Sequence, residues 1–336
     1  VTLRLVVDTE RWRRHVASVR DATPGLVPVV KGNGYGFGLA TLAAEAARLG
    51  ATTLAVGTAP ELSAVRDQFP GDLLVLTPWR PDAAVPRDDS RVVHTVGRLE
   101  DLARLGEEQP GTRVVVEVLT SMRRHGLPPD RLADAVPLLG RLVFEGWSLH
   151  LPLTGDTAAE AARLGAAARS VRPGPLWVSH VPAAALARLG PDVRLRAGTH
   201  PWLGDPDALH VEGVVLDEHA LRRGERAGYR QRRTRRAGTL LVVAGGTSHG
   251  VALTAPTPAA TPRQRAVALA RGGLDAAGAA RSPFLVAGRH TWFVEPPHMQ
   301  CSMIWSPDGV PAPAVGTALR AQVRYTTVLV DEVRWA

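Results

Sequence analysis

One lysine, Lys31, stands among the 40 lysine and arginine residues of this 336-residue sequence, and the other 39 are arginine. Arginine serves wherever a fixed positive charge is enough. It cannot replace an amine that must attack a carbonyl, because guanidinium stays protonated and is a poor nucleophile. Lys31 is therefore the first candidate for covalent chemistry, an imine to an aldehyde or ketone. The competing reading is a leftover lysine on a surface, and the neighbourhood decides against it. Lys31 lies in Val29-Val30-Lys31-Gly32-Asn33-Gly34-Tyr35-Gly36-Phe37-Gly38, where an apolar run ends in lysine and a glycine-rich turn follows. Glycines there let backbone and aromatic side chains close on a flat ligand. Desolvation would lower the amine's pKa and keep it nucleophilic.

Such a lysine needs a scaffold that holds it at a strand end. Eight β-rich runs occupy the first 200 residues: Leu26–Lys31, Thr53–Gly57, Leu73–Thr77, Arg91–Val96, Arg113–Thr120, Val143–His150, Leu176–His180 and Val193–Gly198. Amphipathic stretches lie between them, at Ala40–Leu49, Pro60–Gln68, Leu99–Leu105, Pro129–Leu139, Thr157–Val171 and Pro182–Leu189. This rhythm predicts an α/β fold, a (β/α)8 TIM-like barrel. A doubly wound sheet is the second choice, since no reversal of strand order is evident. Lys31, Arg124, His150, Ser179 with His180, and Arg196 fall at or just past the C-terminal ends of five runs, the face where barrel enzymes place their sites.

After Gly204 the rhythm changes to strands between Gly- and Pro-rich turns: Val211–Leu216, Gly238–Val243, Val251–Thr254, Phe284–Val286, Thr291–Val294, Met303–Trp305 and Ala321–Val330. One helix, Pro262–Arg271, interrupts them, and Ala255–Pro262 reads as a loop. The expected organisation is a cofactor-binding barrel over residues 9–205 and a mostly antiparallel β domain over 206–336, joined by the strand-like Val1–Asp8.

The stretch around Lys31 resembles the pyridoxal-phosphate lysine motif of the alanine racemase family. There a Pro-Val-Val-Lys-Ala-Asn-Ala-Tyr-Gly-His-Gly-like run ends the first barrel strand. Gly32, Gly34 and Phe37 stand here for Ala, Ala and His. The resemblance implies a fold-type III enzyme with pyridoxal 5'-phosphate (PLP) on Lys31 and Tyr35 beside it. Leu119-Thr120-Ser121-Met122-Arg123-Arg124-His125-Gly126 resembles the family's Asp-Thr-Gly-Met-Gly-Arg-Leu-Gly, with Leu119 for Asp. It implies that Arg124 orients the cofactor's phenolic oxygen and contacts substrate. The family's upstream lysine is Glu117. Gly146–His150 is similar to Gly-Leu-Met-Thr-His and implies His150 beneath the ring. Ser179–Ala185 is a poor match to the phosphate-side run, where Ala183 replaces the serine and Ser179, or alternatively His180, is the expected substitute. Val193–Gly204 is similar to the run that gives Arg196 at the pyridine nitrogen and Gly198 and Thr199 at the phosphate.

An arginine at that nitrogen supplies no proton at neutral pH, so it weakens the electron sink and favours simple Cα proton exchange over decarboxylation or transamination. Exchange with inversion needs a base on each face of Cα. Lys31 serves one face. For the other, Arg223-Gly224-Glu225-Arg226-Ala227-Gly228-Tyr229 is similar to the family's Lys-x-Gly-Glu-x-Val-Gly-Tyr-Gly. The resemblance implies Tyr229 as the second base, given across a head-to-tail homodimer. The β domain departs further. Gly245–Gly250 lacks the family's entrance tyrosine, and in His298-Met299-Gln300-Cys301 glutamine replaces aspartate. Met299 and Gln300 are the expected substrate contacts there.

Composition narrows the rest. Apolar residues make 45% and charged residues 21%, the balance of a soluble globular protein. No apolar run approaches the roughly 20 residues of a membrane span, and Val1–Leu5 has no signal-peptide layout. The one cysteine, Cys301, excludes an internal disulfide and cysteine-based zinc. The 11 histidines lack paired metal-ligand spacing, so no metal is expected. The net charge of +8 reflects arginine usage. The dense run Arg222–Arg236 has a single aromatic, Tyr229, and does not read as a nucleic-acid site. The expectation is a cytoplasmic, PLP-dependent amino-acid racemase. The alternatives are a decarboxylase on the same fold and a PLP-binding homologue without turnover.

Overall fold

The computed structural model describes residues 2–82, 89–234, 236–253, 261–276, 280–307 and 309–336. It divides into two compact units, residues 13–204 and residues 1–12 with 205–336, so the division falls inside the first helix, Thr9–Asp21.

A first strand, β1 (Leu3–Val7), belongs to the second unit. The barrel unit follows: β2 (Leu26–Val30), β3 (Thr53–Val56), β4 (Asp72–Val75), β5 (Val92–Val96), β6 (Arg113–Val118), β7 (Val143–His150), β8 (Leu176–Ser179) and β9 (Val193–Ala197). All pair in parallel, and β9 closes on β2 through Leu26–Leu195, Val27–Arg196 and Pro28–Ala197. These strands are short runs of Val, Leu and Ala buried on both faces, as a helix-covered parallel sheet requires.

Alternation sorts each strand's side chains. Val27, Val29, Ala55, Leu74, Val93, Val115 and Trp177 form one cluster drawn from the strands alone. Val114, Val116, Val118, Leu149, Val178 and Leu195 pack instead with helix residues such as Leu102, Leu105 and Leu164. The first set is the barrel interior and the second the layer beneath the helices. Lys31, Glu117, Ser148, His150, Ser179 and Arg196 share the parity of the interior set.

Three expected helices are shorter than read. Pro60–Gln68 is a 3-10 turn, Ala59–Glu61, followed by Leu62–Val65. Pro129–Leu139 breaks into Pro129–Arg131, Leu132–Ala135 and Pro137–Arg141, because Pro137 has no N–H to continue the helix. Pro182–Leu189 is a single helical turn, Ala183–Leu186, that tightens into Ala187–Leu189.

In the second unit, β10 (Leu209–Leu221), β11 (Arg226–Ala227), β12 (Arg232–Arg233), β13 (Gly238–Ala244), β14 (Arg281–Val286), β15 (Arg289–Phe293), β16 (Cys301–Pro307), β17 (Ala318–Ala321) and β18 (Glu332–Trp335) follow in order. The large sheet runs β13-β16-β15-β14-β17-β10-β1-β18, and β10 also pairs with β13, so the sheet curls back on itself. β10 serves both partners by changing register at a bulge between Val215 and Asp217. Among the described residues of this unit, only β1 and β18 pair in parallel. β11 and β12 form a separate hairpin around Tyr229.

Two expected strands differ. Val251–Leu253 is a turn that follows left-handed Gly250, and Thr254 and most of the Ala255–Pro262 loop lie outside the described residues, as do Val1 and Arg235. Ala321–Val330 ends as a strand at Ala321, because the amides of Thr327 and Val328 turn back to the Arg324 carbonyl, each at 3.0 Å. The helix at Pro262 extends to Ala276. Among the described residues, no helix is long and apolar enough to cross a membrane.

Candidate active site

Lys31 follows β2 directly, and the turn behind it is held from three sides. The Gly34 amide donates to the Lys31 carbonyl at 3.1 Å. The Glu61 carboxylate accepts from the amides of Gly32 (2.8 Å), Gly57 (2.7 Å) and Thr58 (3.2 Å), so one side chain ties the ends of β2 and β3 together. Trp202 donates its indole N–H to the Val29 carbonyl at 2.8 Å. Partial burial lowers the Lys31 amine's pKa, and the charges of Arg124 and Arg196 push the same way against Glu61. More of the amine is thereby left unprotonated and nucleophilic.

Tyr35 takes a left-handed backbone (φ 55°) and is buried, which pushes its phenol up to about 12. Its hydroxyl rests on the turn after β9. A Cβ at Gly198 would lie 1.9 Å from the Tyr35 Oη, so only glycine allows this approach. Gly198 and Thr199 carry the chain from β9 into the short helix Thr199–Leu203. The first amides of that helix have no acceptor within it.

Across the interior, Arg196 is buried at 5% exposure. It donates to Ser148 Oγ (3.0 Å) and to the Leu149 carbonyl (3.1 Å). Its Nε is buried and has no hydrogen-bond partner among the described residues. A buried donor left unpaired is costly, so this N–H marks where an acceptor belongs. Burial lowers the Arg196 pKa to about 10, which leaves it protonated at neutral pH. Glu117 lies within electrostatic reach of Arg196 and Arg124. Burial raises its carboxyl's pKa, and the two arginines oppose that.

His150 ends β7 and shares a 2.9 Å hydrogen bond with Ser179 Oγ at the end of β8. Its carbonyl accepts from Thr120 Oγ1 at 2.6 Å, and His180 meets its ring edge-on at 5.1 Å. Burial, then the charges of Arg196, Arg124, His180 and Lys31, lower the His150 pKa to about 3, so the ring stays neutral. Arg124 is exposed, in the loop after β6.

The barrel unit thus gathers Lys31, Tyr35, Arg124, His150, Ser179, Arg196, Gly198 and Thr199 at its strand ends. Tyr229, Met299 and Gln300 belong to the other unit. Tyr229 is 84% exposed between β11 and β12, and Met299 and Gln300 lie exposed just before β16. The Met299 carbonyl accepts from the Ser248 amide and the Gln300 carbonyl from the Gly245 amide, both at 3.0 Å.

Sequence reasoning missed Glu61 and Ser148. Glu61 carried a signal, because Thr58-x-x-Glu61 has the spacing of a capping box, and the box forms. Its second task, holding the Gly32 amide 29 residues away, is visible only in the fold. Ser148 carried none beyond strand parity.

A closed barrel with a lysine, a buried arginine and a neutral histidine on its inner face defines the class of protein, and the comparisons define the family. Residues 7–192, more than half of the chain, match the family model described as alanine racemase, N-terminal domain, and the chain belongs to that family. It is 34% identical over 138 residues to the alanine racemase of Nitratidesulfovibrio vulgaris, covering 39% of this chain and 36% of that relative. With the alanine racemase of Campylobacter curvus it shares 26% identity over 225 residues, 60% of this chain and 64% of the relative. The matched stretches therefore span from about a third to just under two thirds of these curated relatives. Among solved structures, an alanine racemase of Clostridium difficile 630 superposes with a TM-score of 0.72 at 17% identity, over 95% of this chain and 86% of that one. The Bartonella henselae enzyme, solved with covalently bound pyridoxal phosphate, gives 0.70 at 16% identity over 97% and 91%. At these identities the structural likeness shows the fold.

Proposed function

We propose that this chain is a PLP-dependent amino-acid racemase, acting on alanine or a close relative, with Lys31 and Tyr229 as its two bases. The observation that carries the reading is the pairing of Lys31's lowered amine pKa with the unpartnered Nε–H of Arg196 on one barrel face. The residues present fit the cofactor. Lys31 is a free amine, Arg196 offers a buried donor suited to a ring nitrogen, and the Tyr35 hydroxyl and the Gly198–Thr199 turn offer donors suited to a phosphate. PLP held by these residues would supply an electron sink that acidifies the substrate's Cα proton.

The chain's own residues do the rest. Arg196 remains charged and donates, so it cannot deliver a proton by losing one readily at neutral pH, and the electron sink stays mild. Neutral His150 presents a flat, uncharged face. Lys31 takes or returns a proton at Nζ on one side of the substrate, and Tyr229 does so at Oη on the other. Tyr229 and the exposed Met299 and Gln300 reach a barrel as parts of a head-to-tail homodimer in this reading. The family membership supports that arrangement. A single thiol, Cys301, without a disulfide partner suits the cytoplasm.

Two measurements test the proposal. Protein mixed with PLP should show a new visible absorption band that Lys31→Ala lacks, and borohydride should fix the adduct on Lys31. No band and no adduct would end the reading. A panel of L- and D-amino acids in D₂O should show Cα exchange with loss of chirality. Release of CO₂ would indicate a decarboxylase, and an inert panel a binding protein.

A further inference from the structure

Three side chains of the second unit converge on Tyr229's side of the β11–β12 hairpin. Glu295 is buried at 6% exposure. Its carboxylate accepts from the Tyr229 amide at 3.1 Å, with the Arg230 amide at 3.5 Å. The same carboxylate bonds His298 Nε2 at 2.7 Å. The His298 ring then lies against the Tyr229 ring, centroids 4.6 Å apart and planes at 38°. On its far side, His298 Nδ1 sits 3.9 Å from Cys301 Sγ, and its amide donates to the Cys301 carbonyl at 2.9 Å. The approach is built into the backbone as well, since a Cβ at Gly228 would fall 2.3 Å from the Glu295 carboxylate. Gly228 also has a left-handed φ of 75°.

A tyrosine 84% exposed on a two-residue-stranded hairpin would otherwise sample many rotamers. Here its main chain and one ring face are both held by the same buried carboxylate, directly and through the imidazole. Burial disfavours that carboxylate's charge, but the bonds from His298 and the two amides outweigh it and keep its pKa lowered. We propose that Glu295 and His298 are positioning residues that fix Tyr229's main chain and ring for proton transfer on its face of the substrate. This rests on Tyr229 being the second base.

The experiment uses the full PLP-loaded protein and follows Cα exchange from each enantiomer of alanine separately, alongside fluorine NMR of fluorotyrosine-labelled protein. With three tyrosines, the signal lost in Tyr229→Phe identifies Tyr229. His298→Ala and Glu295→Gln should slow exchange by roughly tenfold for the enantiomer that Tyr229→Phe affects and leave the other within about twofold, as loss of one oriented base predicts. The Tyr229 signal should shift and narrow in both. His298→Phe keeps a ring against Tyr229 and should restore most of the rate and the signal's position. Equal slowing of both enantiomers, or a Phe variant as slow as Ala, overturns the inference. So does a wild-type rate in the two variants while Tyr229→Phe is slow, an outcome that leaves the base assignment standing. If Tyr229→Phe itself is silent toward both enantiomers, the base assignment falls and the positioning role falls with it.

Discussion

Arg196 and His150 divide the electrostatics of the site between them. Arg196 keeps its charge in full burial, and that charge is one reason His150 has lost its own. Replacing Arg196 with glutamate reverses the arrangement. A carboxylic acid can protonate a ring nitrogen, which deepens the electron sink. Arg196→Glu is expected to lower racemisation by about a hundredfold or more, the scale of losing a placed charge. A keto-acid by-product of transamination should appear at the same time. A racemisation assay coupled to keto-acid detection measures both. Loss of activity without a by-product would count against Arg196 as the residue that sets the reaction's direction. These residues were visible in the sequence because a lysine, an arginine and a histidine each closed an apolar run. Ser148 was not, because a serine mid-strand looks the same whether it meets an arginine or nothing.

At the scale of elements, each barrel strand serves two layers, and substitutions should differ by face. His94 lies on the helix-facing side of β5, buried at 4% exposure, and burial lowers its pKa from 6.5 to about 4. In the unfolded chain the same ring takes a proton below about 6.5, which the folded protein refuses until about 4. Stability should therefore fall as pH drops through that window, by on the order of 3 kcal/mol at its lower end. Urea unfolding from pH 7 to 4 should show this slope, and His94→Leu should lessen it while leaving the part that His150 contributes over the same range. On the turn after β9, Gly198→Ala must displace the Tyr35 hydroxyl. About 1–3 kcal/mol of stability should go, as for overpacking elsewhere, with PLP affinity weakened at least about tenfold. Equilibrium unfolding and spectral titration with PLP read the two effects.

The elements themselves were legible to different degrees. All eight barrel strands stood out as Val- and Leu-rich runs. The Ala321–Val330 run did not behave as its composition suggested. Val323, Tyr325 and Thr327 favour a strand, but the chain turns at Arg324 and the Gln322 amide bonds the Pro283 carbonyl at 2.9 Å. Such a turn is set by distant partners that no local pattern contains. The Tyr229 hairpin was read from a motif, while the Glu295–His298 contact that holds it lies more than 60 residues away.

At the scale of the whole molecule, the proposed homodimer makes each site from two chains, Lys31 of one and Tyr229 of the other. Mixed chains then complement. Lys31→Ala and Tyr229→Phe are each expected to be nearly inactive alone. Unfolded together, refolded and assayed, they should recover about a quarter of wild-type activity, since half the dimers are mixed and each mixed dimer has one intact site. No recovery, from proteins shown to exchange subunits, would place both bases in one chain.

The second unit is discontinuous in the chain. Its β1 lies between β10 and β18, and the Leu3 amide reaches Asp331 at 2.8 Å across 328 residues. The barrel, by contrast, closes on itself within Leu26–Ala197. On the ribosome the two units should therefore mature in an order opposite to their first residues. The barrel can close while the remainder is still being made, and β1 can pair with β10 soon afterwards, but the other edge of β1 must wait for β18. A waiting strand edge is open to wrong partners. Slow synthesis of the C-terminal third should then reduce the yield of correctly assembled protein, even though that third holds neither Lys31 nor Arg196.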